Sequence, residues 1–217
     1  MQKNAVEQGV IRALNYAFPP NRAGRCGRIL ELDEYKLLYE DMSRARTFLL
    51  SLPRLSTGCI TIARAKNLDT FDTQVIDAYF LGINPYESNG KPLTHLMNSL
   101  ITNASFIYRT KQDEIREYFL QRIRVCSVKP GITLRVEGTA ILAEVHNFVF
   151  ENGQLQPKLE REQLEVLPFA EWVPKVGQPI SSHGKYVVDI IDMIQYAKMI
   201  KEIKREIECF KSLLLTH

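Results

Sequence analysis

The residues best suited to chemistry stand together in Pro19-Pro20-Asn21-Arg22-Ala23-Gly24-Arg25-Cys26-Gly27-Arg28, where one thiol lies among three guanidinium groups. Positive charge on Arg25 and Arg28 favours the Cys26 thiolate, the condition for a nucleophile or a soft metal ligand. The loop contains no histidine, aspartate or second cysteine, so a catalytic pair or coordination shell needs a partner from elsewhere in the fold. His183, in Ser181-Ser182-His183-Gly184, is that candidate, because an imidazole in a polar turn before a helix can bind a metal or move a proton near neutral pH. Simpler explanations stand beside both: a lone cysteine as a small buried hydrophobe, and Ser181 or Ser182 as a helix cap. His95 and His146 read as packing or surface residues.

Anion recognition is the second chemistry available. No acidic residue occurs from Gln8 to Leu30, so Arg12, Arg22, Arg25 and Arg28 concentrate positive charge in a chain whose net charge is only +3. Gly24 and Gly27 permit positive φ and can turn backbone amides outward. Asn21, Arg22, Gly24, Arg25, Gly27 and Arg28 are thus the expected binding surface for an anion or an acidic partner. In the alternative, Arg22 and Arg28 pair with Glu31, Asp33 or Glu34 on a solvated surface, which contributes little.

Flanking elements must hold this loop. Val6, Val10, Ile11, Leu14 and Phe18 recur at helical spacing, and Pro19-Pro20 should stop that helix. A second helix is expected over Asp33–Leu52, with Asp33 as cap and Pro53 as terminator. Thr57 to Ala65 is too short a pattern to separate strand from helix. Asp72 is placed to cap a helix through Phe80 that Gly82 closes; further helices are expected over Leu93–Leu100 and Lys111–Ile123. From Lys129-Pro130-Gly131 the period changes to two: Ile132, Leu134 and Val136 alternate with polar residues, Thr139–Phe150 is β-rich, and Asn152-Gly153 signals a hairpin. Leu164–Phe169 and Trp172–Val176 suggest short strands, with Pro157, Pro168, Pro174 and Pro179 confining them to edges or ends. Tyr186–Leu215 reads as a long final helix whose stripe of Met193, Tyr196, Ile200, Ile203, Ile207, Phe210 and Leu214 packs on another helix of the same chain or on a second copy.

The expected fold is therefore α+β: a mainly helical part over 1–128, a small antiparallel sheet over 129–182, and a C-terminal helix over 183–217 packed back on the helices, as one compact unit. A length of 217 residues with 45% hydrophobic and 24% charged residues suits an ordinary soluble protein with a substantial core. Four cysteines without a CxxC pair argue against a zinc ribbon or dithiol motif and fit a reducing, cytoplasmic setting. No signal peptide or membrane span is expected. The motifs of dinucleotide and P-loop enzymes, zincins and serine hydrolases are missing, and the basic loop lacks the interleaved aromatics of single-strand nucleic-acid binders.

Four blocks carry a resemblance: Phe18-Pro19-Pro20-Asn21-Arg22-Ala23-Gly24-Arg25-Cys26-Gly27; Asp69-Thr70-Phe71-Asp72-Thr73-Gln74-Val75-Ile76-Asp77-Ala78-Tyr79-Phe80-Leu81-Gly82; Arg122-Ile123-Arg124; and Ser182-His183. In this order they resemble an uncharacterised bacterial and archaeal family with an aromatic-Pro-Pro-Asn-x-x-Gly-x-Cys-Gly loop, often encoded beside nickel-iron hydrogenase genes. The chain departs from it where the family has a histidine pair before Ser-Phe, here Thr102-Asn103-Ala104-Ser105-Phe106, and in lacking aromatics beside Ser-His. The resemblance implies a non-enzymatic accessory or assembly protein that binds a protein partner, such as a hydrogenase subunit or maturation factor, without a cofactor. The alternatives are a cysteine-dependent enzyme or metal carrier using Cys26 with His183, and a basic nucleic-acid binder.

Overall fold

The computed structural model describes residues 4–25, 27 and 29–215. Helix α1 (Ala5–Arg22) begins in a capping box: Asn4 accepts the Glu7 amide at 2.9 Å and the Glu7 carboxylate accepts the Asn4 amide at 3.3 Å. The prolines do not stop it at Phe18, because both fall in its last turn. Proline keeps a helical φ; what it removes is the amide that would bond the carbonyl four residues back. For Pro20 that carbonyl belongs to Tyr16.

The helix expected over Asp33–Leu52 is two helices, α2 (Leu32–Glu40) and α3 (Met42–Leu50). Asp41 breaks it by taking extended dihedrals, φ −126° and ψ 95°, and capping the Ser43 and Arg44 amides at 3.0 Å. Asp33 lies inside α2, and Glu34 instead accepts the Glu31 amide at 2.9 Å. Pro53 opens a helix: it is the first residue of α4 (Pro53–Lys66), where a missing amide costs nothing. Thr57 to Ala65 is thereby helical. Asp72 caps α5 (Thr73–Ile76), a π-turn spans Asp77–Leu81, and Gly82 closes it in the left-handed region. A minimal hairpin of β1 (Glu87–Ser88) and β2 (Lys91–Pro92) leads to α6 (His95–Arg109) and α7 (Asp113–Cys126), packed as a helical pair.

Five strands follow: β3 (Val128–Glu137), β4 (Ala140–Glu151), β5 (Gln154–Val166), β6 (Pro179–His183) and β7 (Tyr186–Ile190). They close into a barrel in the order β3-β4-β5-β7-β6, antiparallel throughout except for the short β5–β7 pairing at Glu165–Val166. The hairpin at Asn152-Gly153 lies where its turn residues place it. Ile141, Ala143, Val145, Leu164, Val166, Ile180 and Val187 fill the barrel cluster. Pro157 sits inside β5 opposite Phe148, on a stretch paired on one side only. Residues 167–178 form turns and irregular chain instead of strands.

The final helix starts later than expected, because Tyr186–Ile190 completes the barrel as β7; α8 spans Met193–Leu215. Ile203, Ile207 and Phe210 are buried with α6 and the barrel, whereas Met193 is exposed. The stripe is thus occupied by its own chain, with Met199 buried where Ile200 was expected. The largest buried cluster joins α1 to α5 with Val128, Leu167 and Val188 from the β-rich part and Met199 of α8, so helices and barrel share a core. No described helix is long and apolar enough to cross a membrane.

Two features of this packing are testable. A Cβ on Gly9 would stand 1.8 Å from the Phe71 carbonyl oxygen. Gly9→Ala gains about 1 kcal/mol of helix propensity but incurs an overpacking cost of about 3 kcal/mol, so urea unfolding should report a net loss near 2 kcal/mol. Glu206 on α8 is 1% exposed and accepts the Thr94 hydroxyl at 2.7 Å, while Thr94 caps α6 through the Met97 amide at 3.0 Å. Burial pushes the Glu206 carboxyl up to about 8, against the pull of that hydrogen bond. The native state therefore holds a proton that the unfolded chain releases, and stability falls as pH rises through about 8. Relative to Glu206→Gln, the wild type should lose stability between pH 6.5 and 8 at up to about 1.4 kcal/mol per pH unit, as read by urea midpoints.

Candidate functional site: an arginine-lined pocket

Where the C-terminal turn of α1, the start of α4, the π-turn and the α6–α7 pair converge, they leave a cavity of about 260 Å³. Its floor is the buried side of Tyr16, Tyr79, Phe80, Ser99 and Asn103. Exposed Arg25, Gly27 and Arg54 and half-buried Arg122 reach it from the rim. Each comes from an element end. Pro53 starts α4 and puts Arg54 in its first turn, Thr94 caps α6 and sets His95 at its first residue, and Arg122 lies on the α7 turn before Cys126.

No carboxylate lines the cavity, and among the described residues none of Arg25, Arg54 and Arg122 forms an ion pair. Arg122 is aimed by neutral groups: its Nε donates to Asn103 Oδ1 at 3.0 Å and an Nη to the Tyr118 hydroxyl at 3.1 Å. Among the described residues, Arg25 donates to Cys126 Sγ alone, at 3.9 Å. Arg12 behaves differently. It was counted with the cationic approach to the loop, but it bonds Asp77 at 2.5 Å and Asp189 at 2.6 Å and is neutralised.

The loop itself is clamped between α1 and α2, and part of its expected surface is structural. Asn21 is wholly buried and its Oδ1 accepts the Leu30 amide at 3.1 Å; Arg22 donates to the Leu30 carbonyl at 2.9 Å and faces Glu31. Both tie the end of α1 to Leu30. Gly24 and Gly27 take positive φ, 67° and 64°, as their sequence context required. Among the described residues of the loop, Pro20, Arg25 and Gly27 line the pocket. Cys26 and Arg28 lie outside the described residues.

His183 is not in a turn before a helix. It ends strand β6, with Ser181 and Ser182 in the same strand, and all three are fully buried. Its Nδ1 donates to the Tyr16 carbonyl at 2.7 Å, the acceptor that Pro20 leaves open, which fixes the neutral tautomer with a bare Nε2. Ser182 donates to the Lys129 carbonyl at 3.3 Å and Ser181 Oγ meets the Tyr16 hydroxyl at 3.2 Å, so neither serine caps a helix. The His183 ring lies edge-on to His95, 5.2 Å between centroids. Nε2 of both rings and Ser99 Oγ are buried without a hydrogen-bond partner among the described residues. Burial pushes His183 down to about 3, helped by His95, and His95 down to about 4, with the Cys126 carbonyl pulling the other way and Arg54 adding to the fall. No group of three His, Cys, Asp or Glu among the described residues is arranged to hold a metal.

His95, Arg54, Arg122, Ser99 and Asn103 were not singled out as site residues by the sequence. The available signal was indirect: Thr94 and Pro53 mark helix starts, and a side chain in the first turn of a helix faces whatever lies beyond that end.

The buried imidazoles carry their own prediction. In a proton–nitrogen NMR titration, His95 and His183 should stay predominantly neutral down to pH 5, His183 showing the Nδ1–H form, because their midpoints are pushed down to about 4 and about 3. No protein-family model matches the chain, and no curated protein or solved structure matches it either, so the resemblance rests on its motifs alone.

Proposed function

We propose that this protein is a binding protein that captures an anionic group in the pocket between α1, α4, α6 and α7. The supporting observation is charge without compensation: three guanidinium groups at one cavity, no carboxylate in its lining, and no ion pair to any of them among the described residues. Like charges brought together at a partly enclosed site repel, and an arriving anion relieves that repulsion while accepting charge-assisted hydrogen bonds. Among the described residues, Arg122 Nη2, Arg25 Nε and Nη2 and the Arg54 guanidinium donate to no other group.

A second reading keeps the same chemistry and makes the anion a side chain of a protein partner, in line with the hydrogenase-linked accessory role that the motifs imply. The exposed rim favours it: Ile29 stands 50% exposed in the loop that carries Arg25 and Gly27. The depth of the floor favours a small molecule.

Calorimetric titration of the full chain with inorganic phosphate and sulfate tests the anion site. Arg25→Ala, Arg54→Ala and Arg122→Ala should each weaken binding about tenfold, the worth of one charge-assisted hydrogen bond. Arg25 and Arg54 are exposed and form no ion pair among the described residues, so their removal should shift stability by no more than about 0.5 kcal/mol. Unchanged anion affinity in all three variants would refute the proposal.

A further inference from the structure

Resting on the anion-binding reading, we infer that the anion is a carboxylate side chain of a partner protein, whose neighbouring apolar side chains lie on the exposed face of α6 and α7 beside the pocket. The two helices carry this. On α7, Cys126 and Arg122 line the cavity, and the same row continues through Phe119, Tyr118 and Ile115 at the three- and four-residue steps of one helix face. On α6, the row of His95, Ser99 and Asn103 leaves the cavity and reaches Phe106. Both rows turn apolar beyond the pocket.

Contacts join the cationic and apolar surfaces. Arg122 donates to the Tyr118 hydroxyl at 3.1 Å, Tyr118 meets Phe119 edge-on at 5.2 Å, and Phe119 stacks on Phe106 at 4.3 Å. Even so, Phe106 is 51% exposed, Tyr118 57% and Ile115 39%. Single apolar side chains at a surface are ordinary, but a joined group beside a polar site marks an interaction surface. From Arg122 to Ile115 the helix rises about 10 Å, which a partner covers in about three extended residues or about seven helical ones.

Charge selects a protein segment over a polyanion. At the pocket end stand three arginines that form no ion pair among the described residues, and α6 has no acidic residue. Toward the other end the signs mix, with Arg109, Lys111, Asp113, Glu114 and Glu117 all exposed. A nucleic acid or an anionic bilayer laid along this face would bring phosphates against the three α7 carboxylates. A peptide avoids that by placing one carboxylate at the arginines and apolar groups beyond it.

The test is selection from a phage library of random dodecapeptides on the full chain, followed by calorimetry with the enriched peptide and, separately, with inorganic phosphate. Enriched sequences should pair an Asp or Glu with an aromatic or aliphatic residue about three to seven positions away, and phosphate should compete with them. Phe106→Ala and Ile115→Ala, neither of which lines the cavity, should each weaken the peptide at least tenfold and leave phosphate affinity unchanged. No enrichment, a consensus without an acid, or equal peptide binding by both variants overturns the inference; phosphate binding that falls in Arg122→Ala then leaves the anion pocket standing. A dimer in sedimentation velocity that Phe106→Ala dissolves gives the face to a second copy and overturns it, as does binding to phosphatidylserine vesicles that Phe106→Ala abolishes. Failure of peptide and phosphate alike to bind overturns both.

Discussion

Pro20 cannot donate a backbone hydrogen bond, and the Tyr16 carbonyl it leaves open is taken by Nδ1 of His183 at 2.7 Å. This one substitution of donors fastens the end of α1 to strand β6, selects the His183 tautomer and sets the ring against which His95 packs. Tyr16 reinforces the joint from its side chain, stacking on Phe80 and placing its hydroxyl near Ser181 and Asp189. An unmatched carbonyl inside a core is costly, so helix and barrel are held in one register by the need to satisfy it. The pocket opens directly beside that joint, with Tyr16, Pro20 and His95 all in its lining.

Charge is handled in two contrasting ways within a short distance along α1 and its loop. Arg12 is partly buried and clasped by two aspartates, an arrangement that stabilises only when complete, since removing one partner strands a charge. Buried Lys129 is likewise neutralised, donating to both carboxylate oxygens of Glu162 at 2.9 and 2.8 Å. Among the described residues, Arg25 and Arg122 donate to neutral groups, and no ion pair includes either of them or Arg54. What sets these three apart is that they meet at one cavity.

Much of the architecture was legible because it rests on local patterns: the period-two run at Ile132–Val136, the Asn152-Gly153 turn, the Asp72 cap and Gly82. The errors share a cause. Pro19, Pro20 and Pro53 were read as terminators, yet proline is compatible with a helix wherever its absent amide has no essential partner, and that depends on tertiary surroundings. Tyr186–Ile190 looked helical beside α8 because barrel closure is a long-range pairing without a local signature. For the site, Arg25 and Gly27 were legible as a cationic turn, but Arg54, His95 and Arg122 come from separate helices that meet only on folding. The polar turn expected around His183 is strand instead, with its imidazole buried against the Tyr16 carbonyl, because barrel closure draws Pro179–His183 into a ladder.

Every residue lining the pocket precedes the barrel in the chain, but the imidazole that anchors the joint beside it lies in β6, among the last strands. During synthesis the helical half emerges first, at a pace that leaves it waiting seconds for β6. Throughout that interval the Tyr16 carbonyl must be hydrated, and water must reach what later becomes the floor of the cavity. Sealing of the cavity floor is thus a late event in the life of each nascent molecule, governed by the arrival of a distant strand and not by the completion of the helices that form the walls.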